Sequence, residues 1–217
     1  MHPRYSEWID YVFDHPVTQP EWHWELDALS FEAEPIDEAR LIELTFRHAA
    51  RDLAHFTDAQ VNQGLWYLCS PACCNHLQAL RSEVVPLDLR LAGIASIGVL
   101  YRECFAHRCA RVLSHVDEGP CSELNAACYM FWDLVPISYL EGNSDEAALA
   151  DACFAVLAET MAIDHVACQE AAIHGYGHFC CAYPDRVYAA LTPYIDQYVG
   201  DPRLKVYAIQ ARTGHIL

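Results

Sequence analysis

Asp164-His-Val-Ala-Cys-Gln-Glu170-Ala-Ala-Ile-His174-Gly-Tyr-Gly-His178-Phe-Cys-Cys181 holds the densest set of chemically capable side chains in this chain of 217 residues. At about 100° per residue, Glu170, His174 and His178 fall one turn apart on a single helical face, which Ala167 and Ala171 share. A carboxylate and two imidazoles so spaced suit a divalent metal such as zinc, a proton relay or a hydrogen-bonded seam between packed helices. The stretch therefore reads as a helix with a polar stripe inside an apolar surround, and its neighbours read the same way.

Tyr5 to His15 is expected to be a short amphipathic helix, with Trp8, Ile9, Val12 and Phe13 on one side and Pro16 as its stop. Pro16 to Pro35 has no sustained period and reads as a long connection. A helix is expected from Asp37 to Phe56, and another from the capping box Thr57-Asp-Ala-Gln60. Ser70-Pro71 repeats the start signal, with a hydroxyl at the N-cap and proline at the first helical position, leading into Cys73, Leu77 and Leu80. Leu87 to Ala110 is the longest apolar run and reads as a central helix. Gly119-Pro120 breaks the chain before a helix over Cys121 to Leu134. Asn143 with Glu146, and Asp164, are expected to cap the next two helices. Pro184 and Asp201-Pro202 open the last two, and Gly214 closes the second of them.

About nine helices and no alternating β-branched run make the expected fold all-α, either an antiparallel array of helical hairpins or an irregular bundle. One domain spans 1–217: an acidic N-terminal helix and long connection in 1–35, then the helical-hairpin array in 36–217. From residue 121 onward helix pairs recur with a period of about 40 residues, as in helical-hairpin repeats.

Asp164-x-Val166, Ala171-Ala172 and Gly175-x-Gly177 resemble the second helix of a HEAT repeat over about 18 residues. That likeness implies a short α-solenoid. HEAT repeats commonly carry an arginine after the valine, where Ala167 stands in this chain. Leu65-Trp-Tyr-Leu-Cys-Ser70, Cys74-Asn-His-Leu77 and Cys168 to His178 are also similar to bacterial proteins of uncharacterised function, a likeness that implies no activity.

Charge separates the function classes. The chain carries 30 acidic residues, 13 basic ones and a formal charge of −17 at pH 7, with Lys205 its single lysine. Such a field repels nucleic acid and anionic lipid and favours a basic protein partner. Between Arg4 and Arg40 there is no Lys or Arg, while Trp22, Trp24 and Phe31 sit among Glu21, Glu25, Asp27, Glu32 and Glu34. Aromatics among like charges mark a candidate partner-binding face made of these eight residues. No segment approaches the roughly 18 apolar residues of a membrane span, and no signal peptide is expected at Met1, so a cytoplasmic setting is expected.

The metal alternative rests on Glu170, His174 and His178, with a fourth ligand drawn from His76, His107, His115 or His165. The pattern is not HExxH, because no glutamate lies between the histidines. Cys69-x3-Cys73-Cys74-x-His76 and Cys104-x2-His107-x-Cys109 lack paired knuckles and read as packing cysteines. Cys121 before a helix has no identifiable base, and Tyr129-Met-Phe-Trp132-Asp133 reads as core. Gly175 and Gly177 each cost a helix about 1 kcal/mol relative to alanine, so a close neighbour is expected at both. No complete catalytic motif is present. The leading expectation is a non-enzymatic acidic binding module without a cofactor, in one form an immunity protein or antitoxin that covers a cationic toxin. A metal-dependent enzyme is the alternative.

Overall fold

The computed structural model describes residues 2–25, 30–116 and 121–216. Among them there is no strand, and the helices of nine or more residues are α1 Tyr5–Phe13, α2 Pro35–Arg47, α3 Asp58–Cys69, α4 Leu87–Leu100, α5 Asn125–Leu134, α6 Glu146–Met161, α7 Val166–Phe179, α8 Pro184–Gln197 and α9 Pro202–Ala211.

Several boundaries follow from local chemistry. Thr57 and Gln60 form a reciprocal capping box: the Gln60 N–H donates to Thr57 Oγ1 at 3.2 Å, and the Thr57 N–H donates to Gln60 Oε1 at 3.1 Å. Asp201 Oδ1 accepts from the Arg203 N–H at 2.9 Å, with Pro202 at the first helical position. Gly214, at φ 76°, closes α9: its N–H donates to Ala211 O, and the His215 N–H donates to Gln210 O. That pair of bonds needs a left-handed residue, which glycine adopts without strain.

Elsewhere tertiary bonds override the local signal. The helix expected over Asp37 to Phe56 starts at Pro35 and breaks at His48 into a single turn, Ala49–Asp52. Tyr5 bridges the break, its hydroxyl lying 2.8 Å from Asp52 Oδ2 and 3.2 Å from Leu44 O. Ser70-Pro71 opens only a turn and then a 3-10 helix, His76–Leu80. There the Cys74 thiol bonds Tyr67 O at the end of α3, and His76 is drawn to Glu38 on α2 at 2.7 Å. The run after Pro86 leaves α-geometry at Tyr101–Phe105, a wider π turn, and ends at Arg108.

The Gly119-Pro120 break lies outside the described residues, and α5 begins at Asn125, whose side chain makes two bonds to the Ala110 backbone. Asp145, not Asn143, precedes α6; Asn143 Oδ1 accepts from the Asp145 N–H, and the Asp145 carboxylate pairs with buried Arg90 of α4. His165 precedes α7, because the Asp164 side chain points fully into solvent and pairs with Arg111.

Packing follows chain order. Helices α1, α3, α5, α7 and α9 touch in succession, as do α2, α4 and α6; α1 also meets α2, α6 meets α7, and α8 meets both α7 and α9. Trp8, Phe13, Tyr101, Trp132 and Tyr176 are among the bulkiest fully buried side chains of the continuous core. Helix α7 is buried on nearly every side, against α5, α6, α8 and α9. At Gly175 an added Cβ would stand 2.5 Å from Leu157 Cδ2 and 2.8 Å from Trp132 Cγ. Close approach of α5 and α6 is thus what the glycine permits. At Gly177 the neighbour is Ile216 in the tail after α9 rather than another helix. No helix among the described residues is long and apolar enough to cross a membrane.

Candidate functional site

The polar stripe of α7 divides into two groups. Glu170, 0% exposed, turns toward the segment between α4 and α5: it accepts from the Ser114 N–H at 2.8 Å and the His115 N–H at 2.9 Å, and pairs with His115 Nδ1 at 2.5 Å. Its carboxylate thereby caps the half-buried 3-10 turn Ser114–Val116, and the two N–H groups in turn satisfy the fully buried carboxylate.

One and two turns further along the same face, His174 and His178 meet α5 and α9 instead. His174 Nδ1 lies 2.5 Å from the Tyr207 hydroxyl, which lies 2.9 Å from the Tyr129 hydroxyl. The two Nε2 atoms of His174 and His178 are 3.0 Å apart, and His178 Nε2 is 3.2 Å from Asp133 Oδ1. The His115 ring stacks on Tyr207 at 4.2 Å and so joins the groups through an aromatic face rather than a hydrogen bond. Burial disfavours imidazolium here: it pushes His174 down to about 3, assisted by the nearby His178 and His115, and it lowers His178 against the opposing pull of Asp133. Burial also raises the Tyr207 and Tyr129 phenols, so both remain hydrogen-bond donors at neutral pH.

Asp133 is the member that the spacing pattern on α7 did not supply. It sits one turn after Tyr129 on α5, and that i,i+4 pair of polar atoms in a mostly apolar helix is its only sequence signal. Of the other histidines, His76 is committed to Glu38 and Tyr67, His165 lies buried beside Cys109 O, and His107 is exposed. Cys104 and Cys109 are buried while His107 is not, which separates that trio. Cys121 is exposed four residues before α5 starts. Asp133, His174 and His178 are the group of three possible ligands that converges among the described residues.

The acidic connection is partly structural. Trp22 is buried, stacked on His15 at 3.8 Å and packed against Tyr67; Phe31 is buried against Trp8, with the Arg4 guanidinium over its outer face. Both leave the candidate partner face for the core, because a connection without a helix of its own has to be pinned by its largest side chains. Trp24 is 51% exposed, Glu25, Glu32 and Glu34 are exposed, and Glu21 is half-buried. Asp27 lies outside the described residues. Glu21, His23 and Trp24 form one wall of a cleft of about 290 Å³, closed by Asn62, Gln63 and Trp66 of α3 with Ser70 and Cys73.

No family model matches the chain, and no curated protein or solved structure is significantly similar to it.

Proposed function

We propose that the chain is a short α-solenoid of HEAT-like hairpins whose acidic N-terminal face captures a basic protein partner. The array reading is supported by packing in which each helix meets chiefly its next or next-but-one neighbour. A bundle closed on itself would bring the first helices against the last.

The observation that carries the binding reading is the cleft at Trp24. At about 290 Å³ it falls just below the roughly 300–1,000 Å³ of small-molecule sites, a size for one long side chain. Trp24 and Trp66 offer aromatic surface and Glu21 a carboxylate, the combination that favours a guanidinium or ammonium group. Gln63, 4% exposed, lines the cleft, and its Oε1 has no hydrogen-bond partner among the described residues. An unpaired buried acceptor costs about 1–3 kcal/mol, and a cationic donor entering the cleft satisfies it. Asp10, Asp14, Glu25 and Glu34 are exposed without a cationic partner among the described residues, which leaves their field free to steer a basic protein.

Neutralisation of a cationic toxin is one concrete form of this activity. Eleven cysteines without a disulfide fit a reducing, cytoplasmic setting. The test is titration with a fluorescent arginine-rich peptide. Trp24→Ala is expected to weaken binding by about 2 kcal/mol, roughly 30-fold, as for an aromatic anchor, without lowering thermal stability. A wild type that ignores the peptide, or a Trp24→Ala variant that binds it equally well, overturns the proposal.

A further inference from the structure

We infer that Asp133, His174 and His178 form a binding site for a first-row divalent metal ion, with zinc as the representative ion. The site is independent of the Trp24 cleft, which lies on α3 and the N-terminal connection.

The ligand atoms come from α5 and α7, two helices held in direct contact where Trp132 seats against the backbone of Gly175. The same seating delivers the next residue, Asp133, to the histidine pair. Ligand atoms of the three side chains lie within 4.8 Å of one another. Two ligands about 2.0–2.1 Å from a tetrahedral ion stand about 3.3 Å apart. The observed 3.0 Å between the histidine nitrogens and 3.2 Å from His178 to Asp133 are near that spacing. The remaining adjustment falls on Asp133, whose side chain is 41% exposed and turns without disturbing the core.

Two imidazoles and one carboxylate are the ligand set that borderline divalent ions prefer. The outer contacts fit as well. A metal-binding histidine holds its other ring nitrogen by a hydrogen bond, and His174 Nδ1 meets Tyr207, which in turn meets Tyr129. The tautomer that donates Nδ1–H to Tyr207 leaves the Nε2 lone pair facing His178. Binding then displaces the proton that His178 Nε2 shares with His174 Nε2; it passes through solvent to His178 Nδ1, so that both rings stay neutral and both Nε2 lone pairs face the ion. Because His178 and Asp133 reach the surface, water fills the remaining coordination positions.

The experiment uses the full chain, stripped with chelator and titrated with Zn²⁺ by calorimetry and with Co²⁺ by absorption spectroscopy. One equivalent is expected, with cobalt bands of nitrogen and oxygen ligation. His178→Gln and Asp133→Asn are each expected to lose at least about tenfold in affinity, and Tyr207→Phe about tenfold through the outer contact. Asp133→Asn, at a part-exposed position, retains the fold as judged by circular dichroism. Absence of uptake by the wild type, variants that bind as tightly as wild type, or cobalt–thiolate charge-transfer bands placing the ion on cysteines would each overturn the inference.

Discussion

Replacing Gly175 by alanine sets two effects of known size against each other. Alanine favours a helix over glycine by about 1 kcal/mol, so on propensity alone the variant is stabilised. Against this, the new methyl group would lie 2.5 Å from Leu157 Cδ2 and 2.8 and 2.9 Å from Trp132 Cγ and Cδ1. Neither neighbour has room to retreat: both are 0% exposed, and the Trp132 ring is held edge-on between Phe131 and Phe179. Overpacking costs about 1–3 kcal/mol, and with two hemmed-in neighbours inside 3.0 Å the upper part of that range applies, about 2–3 kcal/mol; less about 1 kcal/mol from propensity, the net loss is about 1–2 kcal/mol. For a chain of this length each kcal/mol lowers Tm by about 2–4 °C, giving an expected fall of about 2–8 °C by calorimetry. Gly177→Ala is the internal control. Its methyl would meet Ile216 at 2.4 Å, but Ile216 is only partly buried near the end of the chain and moves aside, so the change is expected to stay within about 1 kcal/mol. A Gly175→Ala variant as stable as wild type would refute the close α5–α7 packing.

Asp145→Ala is expected to lower stability by about 2–4 kcal/mol in a guanidinium titration, because it strands the Arg90 guanidinium, which is 2% exposed; a change below about 0.5 kcal/mol would show that Arg90 does not depend on it. Stability is also expected to fall on the alkaline side. Burial raises Cys153 from 9.0 to about 12 and Cys104 to about 11, so the unfolded chain loses these protons first as pH passes 9 while the folded chain holds them. Their contribution is complete below about pH 9 and is lost as pH climbs toward the folded values. Tm measured between about pH 8 and 10.5 should drop, less steeply in Cys153→Ala; a flat profile would contradict the burial of these thiols.

The helical class was legible because apolar spacing repeats along nearly the whole chain, and caps such as Thr57-Gln60 and Asp201-Pro202 act within one turn of themselves. Ser70-Pro71 misled for the opposite reason: its start signal is local, while the bonds that stop the helix join Cys74 to Tyr67 and His76 to Glu38. The same limit governs the polar stripe. Helical spacing put Glu170, His174 and His178 on one face, but it carries no information about what lies opposite. Ser114 and His115 claim Glu170, and Asp133 and Tyr207 claim the histidines. Trp22 and Phe31 show how composition misjudges an aromatic residue in an acidic stretch, since the charges around it stay in water whether or not the ring is buried.

The most direct test of electrostatic capture is the affinity of the arginine-rich peptide for the full chain as salt rises from about 0.05 to 0.5 M, across which the Debye length shrinks severalfold. A surface of net charge −17 that steers and holds a cationic partner predicts at least a tenfold weakening over that range. Affinity unchanged by salt would contradict it.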